Sequence, residues 1–191
     1  MVRAGLTTER LVLAGAALAD EAGFDAVTPS TLAKRFDVKV ASLYSHVAGA
    51  HDLKRRVALL ALDELAGLAA DAVAGRSGKG ALVALANVHR DFARDHPGLF
   101  AATRFPLDSE TAAASGGVRL AQMIRAVLRG YDLAEPEQTH AVRLLGSVFL
   151  GFVTLELGGS FSHSAPEPQE SWGRTLDALD AVLRHWPQVS G

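Results

Sequence analysis

Two short runs in this 191-residue chain carry side chains suited to gripping a polyanion. Thr28-Pro29-Ser30-Thr31 reads as a helix start, with Thr28 as N-cap and Pro29 in the first helical position. Free N–H groups at such a start, together with the Thr28, Ser30 and Thr31 hydroxyls, can hold a phosphate. Further on stand Lys39, Val40, Ser42, Tyr44, Ser45 and His46. Lys39 can reach a phosphate or a guanine edge, Ser42 can hydrogen-bond a base or a phosphate, and Val40 can touch a thymine methyl. Tyr44 and His46 suit phosphate contacts that fix register, and Ser45 shares their outward surface. This is the chemistry of recognition, not of bond making.

Catalytic spacings are few. Glu137 and His140 have the Glu-x-x-His spacing of di-iron bundles, but such centres need a second copy and further glutamates. Only one copy is present, and a solvated helix start explains it. His89-Arg90-Asp91 matches a kinase tripeptide without the glycine loop, lysine strand or metal-binding partners. No GxSxG, Walker A or HExxH pattern occurs. The chain has no cysteine, which removes disulfides and thiolate metal sites and is compatible with a cytoplasmic location. No enzyme activity, cofactor or metal site is expected.

The elements that must position these residues are helical. Ala and Leu abound while aromatics are 6% of the chain, so strand formers are scarce. Leu11, Ala14, Leu18 and Ala22 mark an amphipathic helix over about 8–22, closed by Gly23. A second helix is expected from Pro29 to about Phe36, interrupted at Asp37, which tolerates the left-handed turn. A third is expected at about 39–46. Leu32, Ala33, Phe36, Val38 and Leu43 are spaced to form the small core that fixes the last two as a helix-turn-helix. Longer helices follow at about 52–74, 81–95, 109–130 with an interruption open at Gly116-Gly117, 136–157 and 170–186, with a short turn near 99–103. The expected fold is all-α with about nine helices: residues 1–50 as a three-helix DNA-binding domain and 51–191 as a helical bundle.

Net charge is −2, yet residues 1–56 hold eight Lys/Arg against six Asp/Glu. The basic excess thus lies at the end where a nucleic-acid footprint is needed. The N-terminal apolar run is broken by Glu9, Arg10, Asp20 and Glu21, which argues against a signal peptide. The apolar stretch Leu144–Leu157 is shorter than the ~20 residues of a membrane span and is expected to be a buried helix.

The segment from Leu32 to Leu53, LAKRFDVKVASLYSHVAGAHDL, resembles the DNA-binding signature of the TetR (tetracycline-repressor-like) family of regulators, above all over Val38–Val47. His96-Pro97-Gly98-Leu99 and the helices after it resemble the WHG-type C-terminal domain of one subgroup. That subgroup carries a His-Gly pair in its eighth helix; here the stretch reads Phe149-Leu150-Gly151. Ala50 stands where most members carry a phosphate-contacting Lys, with Lys54, Arg55 and Arg56 nearby to substitute. Asp37 replaces a turn Gly, and Lys39 replaces a small cap residue. The resemblance implies a homodimer on a near-palindromic double-stranded DNA operator, with no membrane partner. It also implies a small-molecule effector that shifts the helix at 52–74 and releases the DNA. The alternative is a helical small-molecule-binding protein that has lost DNA binding.

The family pattern places dimer contacts on the last two long helices, where Leu145 and Phe149 share one face and Leu176, Leu179 and Leu183 another. An intramolecular core would show the same periodicity. A mainly apolar effector cavity between the middle helices is expected to draw on His89, Phe92, Phe100, Phe105, Met123, Val127 and Phe152. Glu156 stands alone among apolar neighbours. It is read either as a contact for a cationic or hydroxylated ligand or as a solvated helix end.

Overall fold

The computed structural model describes residues 5–187. Among them lie nine α-helices and no strand. They are α1 (Thr8–Ala22), α2 (Pro29–Phe36), α3 (Ala50–Val73), α4 (Gly78–Asp95), α5 (Pro97–Ala102), α6 (Ser109–Ala113), α7 (Gly116–Leu128), α8 (Glu135–Leu157) and α9 (Pro168–Arg184). Short 3-10 turns occupy Phe24–Ala26, Val40–Leu43 and Arg129–Tyr131. The starts are set by local chemistry. Thr7, Thr28 and Asp108 each accept a hydrogen bond from the N–H three residues on, and α2, α5, α8 and α9 each carry Pro in the first turn.

The chain divides into two compact units, one of Met1–Leu65 with Phe92–Val118 and one of Ala66–Asp91 with Arg119–Gly191. In the first, Leu11, Ala19, Val27, Leu32, Leu43, Leu53 and Val57 are buried at its core. α5 lies directly on α1. A Cβ on Gly98 would come 1.9 Å from the Ala19 carbonyl oxygen, so no other residue fits this crossing. Asp20 secures it: one carboxylate oxygen accepts from the Leu99 N–H at 2.9 Å and the other lies 2.8 Å from His96 Nδ1. The helix expected over 109–130 is broken at Ala114-Ser115. Gly116 then opens α7 against the Leu62 backbone, where a Cβ would lie 2.3 Å from the carbonyl oxygen.

In the second unit Leu82, Leu85, Leu128, Leu145, Phe149, Val153, Trp172, Leu176 and Leu183 form the core. α8 is the one described helix long and apolar enough, by length and composition, to cross a membrane. The expectation of a buried helix is corrected: only 22% of its most apolar 18-residue stretch is buried. Ala141, Leu145, Phe149 and Val153 face inward, while Ser147, Leu150, Thr154 and Leu157 form an open face.

Candidate nucleic-acid interface

α2 opens at Thr28, whose hydroxyl accepts from the Thr31 N–H at 3.1 Å and lies 2.8 Å from the Thr31 hydroxyl. The cap therefore occupies Thr28 and Thr31 with each other, and Ser30 is left exposed beside them. α2 ends at Asp37, which adopts the left-handed conformation (φ 52°). The Val38 N–H then reaches back to the Ala33 carbonyl at 3.0 Å. This closes the helix and turns the chain sharply.

The expected third helix at 39–46 is instead a 3-10 turn at Val40–Leu43 continued by turn residues 44–46. Lys39 is extended (φ −71°, ψ 142°) and its carbonyl accepts from the Ser42 N–H at 2.9 Å. β-branched Val40 and two serines give this run little helical preference, and Ser45 Oγ donates to the Ser42 carbonyl at 3.0 Å. Fully buried Leu43 and nearly buried Val47 anchor it, and Thr8 Oγ1 ties it to α1 by donating to the His46 carbonyl at 3.0 Å. Around that anchor Lys39, Ser42, Tyr44 and Ser45 are exposed, and Val40 and His46 half-buried. Tyr44 is 58% exposed, an uncovered aromatic beside the exposed Lys39, Ser42 and Ser45. The small core is also corrected: Leu32, Ala33 and Leu43 are buried, but Val38 is 39% exposed. Phe36 is half-buried beneath the Arg10 guanidinium.

The cations at the start of α3 are held by carboxylates. Lys54 Nζ is 3.1 Å from Asp25 Oδ1 and lies over the Phe24 ring. Arg55 and Arg56 both bind Asp52, at 2.7 and 3.0 Å. Burial pushes the Asp52 carboxyl up, but hydrogen bonds from Arg55, the Ala48 N–H and Arg56 outweigh it and hold the group at about 2. Arg35 is paired in the same way with Glu21, two-pronged at 2.6 and 2.9 Å. Lys34 and Lys39 are exposed and have no ion pair among the described residues.

The residues expected to line an effector cavity fall into both units. Phe92, Phe100 and Phe105 belong to the first. There Phe105 meets Phe24 edge-on and His51 at a tilt, with ring centres 5.8 and 5.1 Å apart. Met123 and Val127, in the second, line a cavity of about 250 Å³. His89 Nδ1 donates to the Leu85 carbonyl at 2.9 Å, and its ring meets Phe149. Burial lowers the His89 pKa, so this imidazole is neutral at pH 7.

Both readings of Glu156 are corrected. It is neither a solvated helix end nor an open contact: its carboxylate takes two hydrogen bonds from Arg90, at 2.8 and 2.6 Å. The side chains are 3% and 9% exposed. The guanidinium also donates to Gln169 and lies over the rings of Phe152 and Trp172, and Trp172 Nε1 donates to Asn87 at 2.8 Å. Phe152 is thereby committed to this cluster. Sequence spacing marks Arg90 only as part of the His89-Arg90-Asp91 tripeptide, and it gives Trp172, Asn87 and Gln169 no role. The available signal was two opposite charges, Arg90 and Glu156, each standing at a core-facing position of an amphipathic helix.

The leucines expected at a dimer contact are also corrected. Leu145, Phe149, Leu176, Leu179 and Leu183 are all buried within one protomer. An apolar stripe at helical spacing reads the same whether it faces a neighbouring helix or a second chain.

Residues 82–179 match the family model for the tetracyclin repressor-like C-terminal domain. The chain is 34% identical over 160 residues to the HTH-type transcriptional regulator Rv0681 of Mycobacterium tuberculosis, covering 82% of this chain and 72% of the relative. Its fold is similar to that of BioQ of Mycobacterium smegmatis, with a TM-score of 0.73 at 19% identity, over 96% of this chain and all of that one. It is similar also to BioQ crystallised with its natural double-stranded DNA operator, with a TM-score of 0.70 at 21% identity, over 94% and 99% of the two chains.

Proposed function

The chain belongs to the TetR family of helix-turn-helix transcriptional regulators, and from that premise we propose that it is a homodimeric, effector-responsive repressor reading a palindromic operator. The observation that carries this reading is the exposed row Lys39, Ser42, Tyr44 and Ser45, seated on the buried Leu43. These groups can donate to phosphates and base edges in the major groove. Ser30 and the start of α2 supply a further phosphate contact. In this reading residues 1–50 bind DNA, while 51–191 carry pairing and effector binding. The protein works in the cytoplasm, where a bacterial operator is found.

Pairing is assigned to the open face of α8, Ser147, Leu150, Thr154 and Leu157, with Ala178 and Val182 of α9. A face carrying Leu150, Leu157 and Val182 with small Ser147, Thr154 and Ala178, left uncovered by its own protomer, is what a four-helix contact between two copies would cover. Two copies place two recognition turns at a spacing that a palindromic site can match. An effector that prefers the spacing unsuited to DNA releases the operator by population shift.

The test is selection of bound fragments from random DNA, followed by titration of the best site at several salt concentrations. A palindromic site, steep salt dependence and its loss in Tyr44→Ala are the expected results. Folded, dimeric protein that enriches no sequence would overturn the reading.

A further inference from the structure

We infer that the cavity of about 250 Å³ lined by Arg76, Arg129, Met123 and Val127 binds a small organic anion with an apolar body, such as a medium-chain carboxylate. The cavity lies wholly within the second unit. Besides the two arginines, its walls include the apolar Val73, Ala81, Met123 and Val127 and the polar Ser77, and no acidic residue lines it.

Arg76 and Arg129 stand on the two segments that meet at this cavity. A Cβ on Gly130 would come 3.3 Å from the Gly78 nitrogen, so the backbones carrying the arginines are in near contact. Both arginines are exposed, and neither has an ion pair or side-chain hydrogen bond among the described residues. In the same unit Arg90, Arg125 and Arg184 each have a carboxylate partner, and the exposed Arg143 and Arg174 do not line this cavity. Two guanidinium groups without counter-charge beside one apolar recess form an acceptor for a carboxylate, whose two oxygens match the guanidinium fork. The apolar side chains of Val73, Ala81, Met123 and Val127 favour a ligand with a hydrocarbon tail, which inorganic phosphate lacks. The volume lies below the roughly 300–1,000 Å³ typical of drug-sized ligands, which selects a short chain. That this ligand is the effector rests on the regulator reading; that the site binds it does not.

The test is calorimetric titration of the full chain with octanoate and, as the uncharged match, octanol. Octanoate is expected to bind saturably at one site per chain, with octanol at least about tenfold weaker. The double variant Arg76→Ala, Arg129→Ala should lose about tenfold or more in octanoate affinity, and Met123→Trp, which fills the recess, should block binding. No octanoate binding, equal binding of octanol, or a double variant that binds normally would overturn the proposal. Operator binding by the ligand-free protein is measured alongside. Octanoate binding without operator binding keeps the site and removes the regulator reading; the converse removes only the site.

Discussion

Lys54 Nζ is held 3.1 Å from Asp25 Oδ1, so a cation at the start of α3, beside the proposed recognition turn, is already paired with a carboxylate. Asp25 is fully exposed and Lys54 is 20% exposed, which makes the pair easily exchanged. Asp25→Asn should tighten operator binding severalfold. It should also steepen the slope of log K against log salt by about 0.9 for each freed lysine, hence about 2 per dimer. Fluorescence anisotropy at four salt concentrations reads both. An unchanged slope would show that Lys54 never reaches the DNA.

Tyr44 and its neighbour Leu43 should separate recognition from folding. Tyr44→Ala removes an exposed side chain, so the melting temperature should hold while operator affinity falls about tenfold or more. Leu43→Ala empties a fully buried position and should cost about 2–5 kcal/mol of stability. Thermal melts beside binding titrations distinguish the two; a matching drop in both properties for Tyr44→Ala would contradict the assignment.

Breaking the Arg90–Glu156 pair from one side strands a buried charge. Glu156→Ala is expected to destabilise the protein by about 3–5 kcal/mol, whereas Arg90→Met with Glu156→Leu should lie near the parent. Urea unfolding of the three proteins decides it. A mild Glu156→Ala phenotype would mean that water reaches the guanidinium.

Acid sensitivity should trace to Asp52. Its folded-state carboxyl titrates at about 2 against an ordinary 3.8. A depressed carboxylate stabilises fully above the ordinary value, and the contribution is lost as pH falls from 3.8 through 2. Asp52→Asn should flatten that part of the stability-versus-pH curve, weakening the start of α3 above about pH 4 and converging on the parent as pH falls toward 2. A variant curve parallel to the parent's would assign the acid loss elsewhere.

The local signals were legible. Thr28-Pro29 does start a helix, Asp37 does take the left-handed turn, and Pro136 does stand in the first turn of α8. Each depends on a few consecutive residues. What escaped was non-local or ambiguous by construction. Arg90 and Glu156 are 66 positions apart, and no spacing rule pairs them. Lys54 and Asp25 meet only because α3 passes beside the Phe24–Ala26 turn. The run at 39–46 has apolar residues at helical intervals, yet tertiary anchoring at Leu43 and Val47 holds it as a tighter turn. The periodic leucines of α8 and α9 could not tell an inner face from a shared one.

The open face of α8 ties this protein's fate to its own abundance. If the proposed pairing through this face holds, a protomer that leaves most of its most apolar helix uncovered is stabilised by mass action when it meets a copy. Its melting temperature should therefore climb as the solution is made more concentrated. In a cell holding few copies, unpaired chains would be the first lost to proteases, so occupancy of the operator would rise steeply with the rate of synthesis.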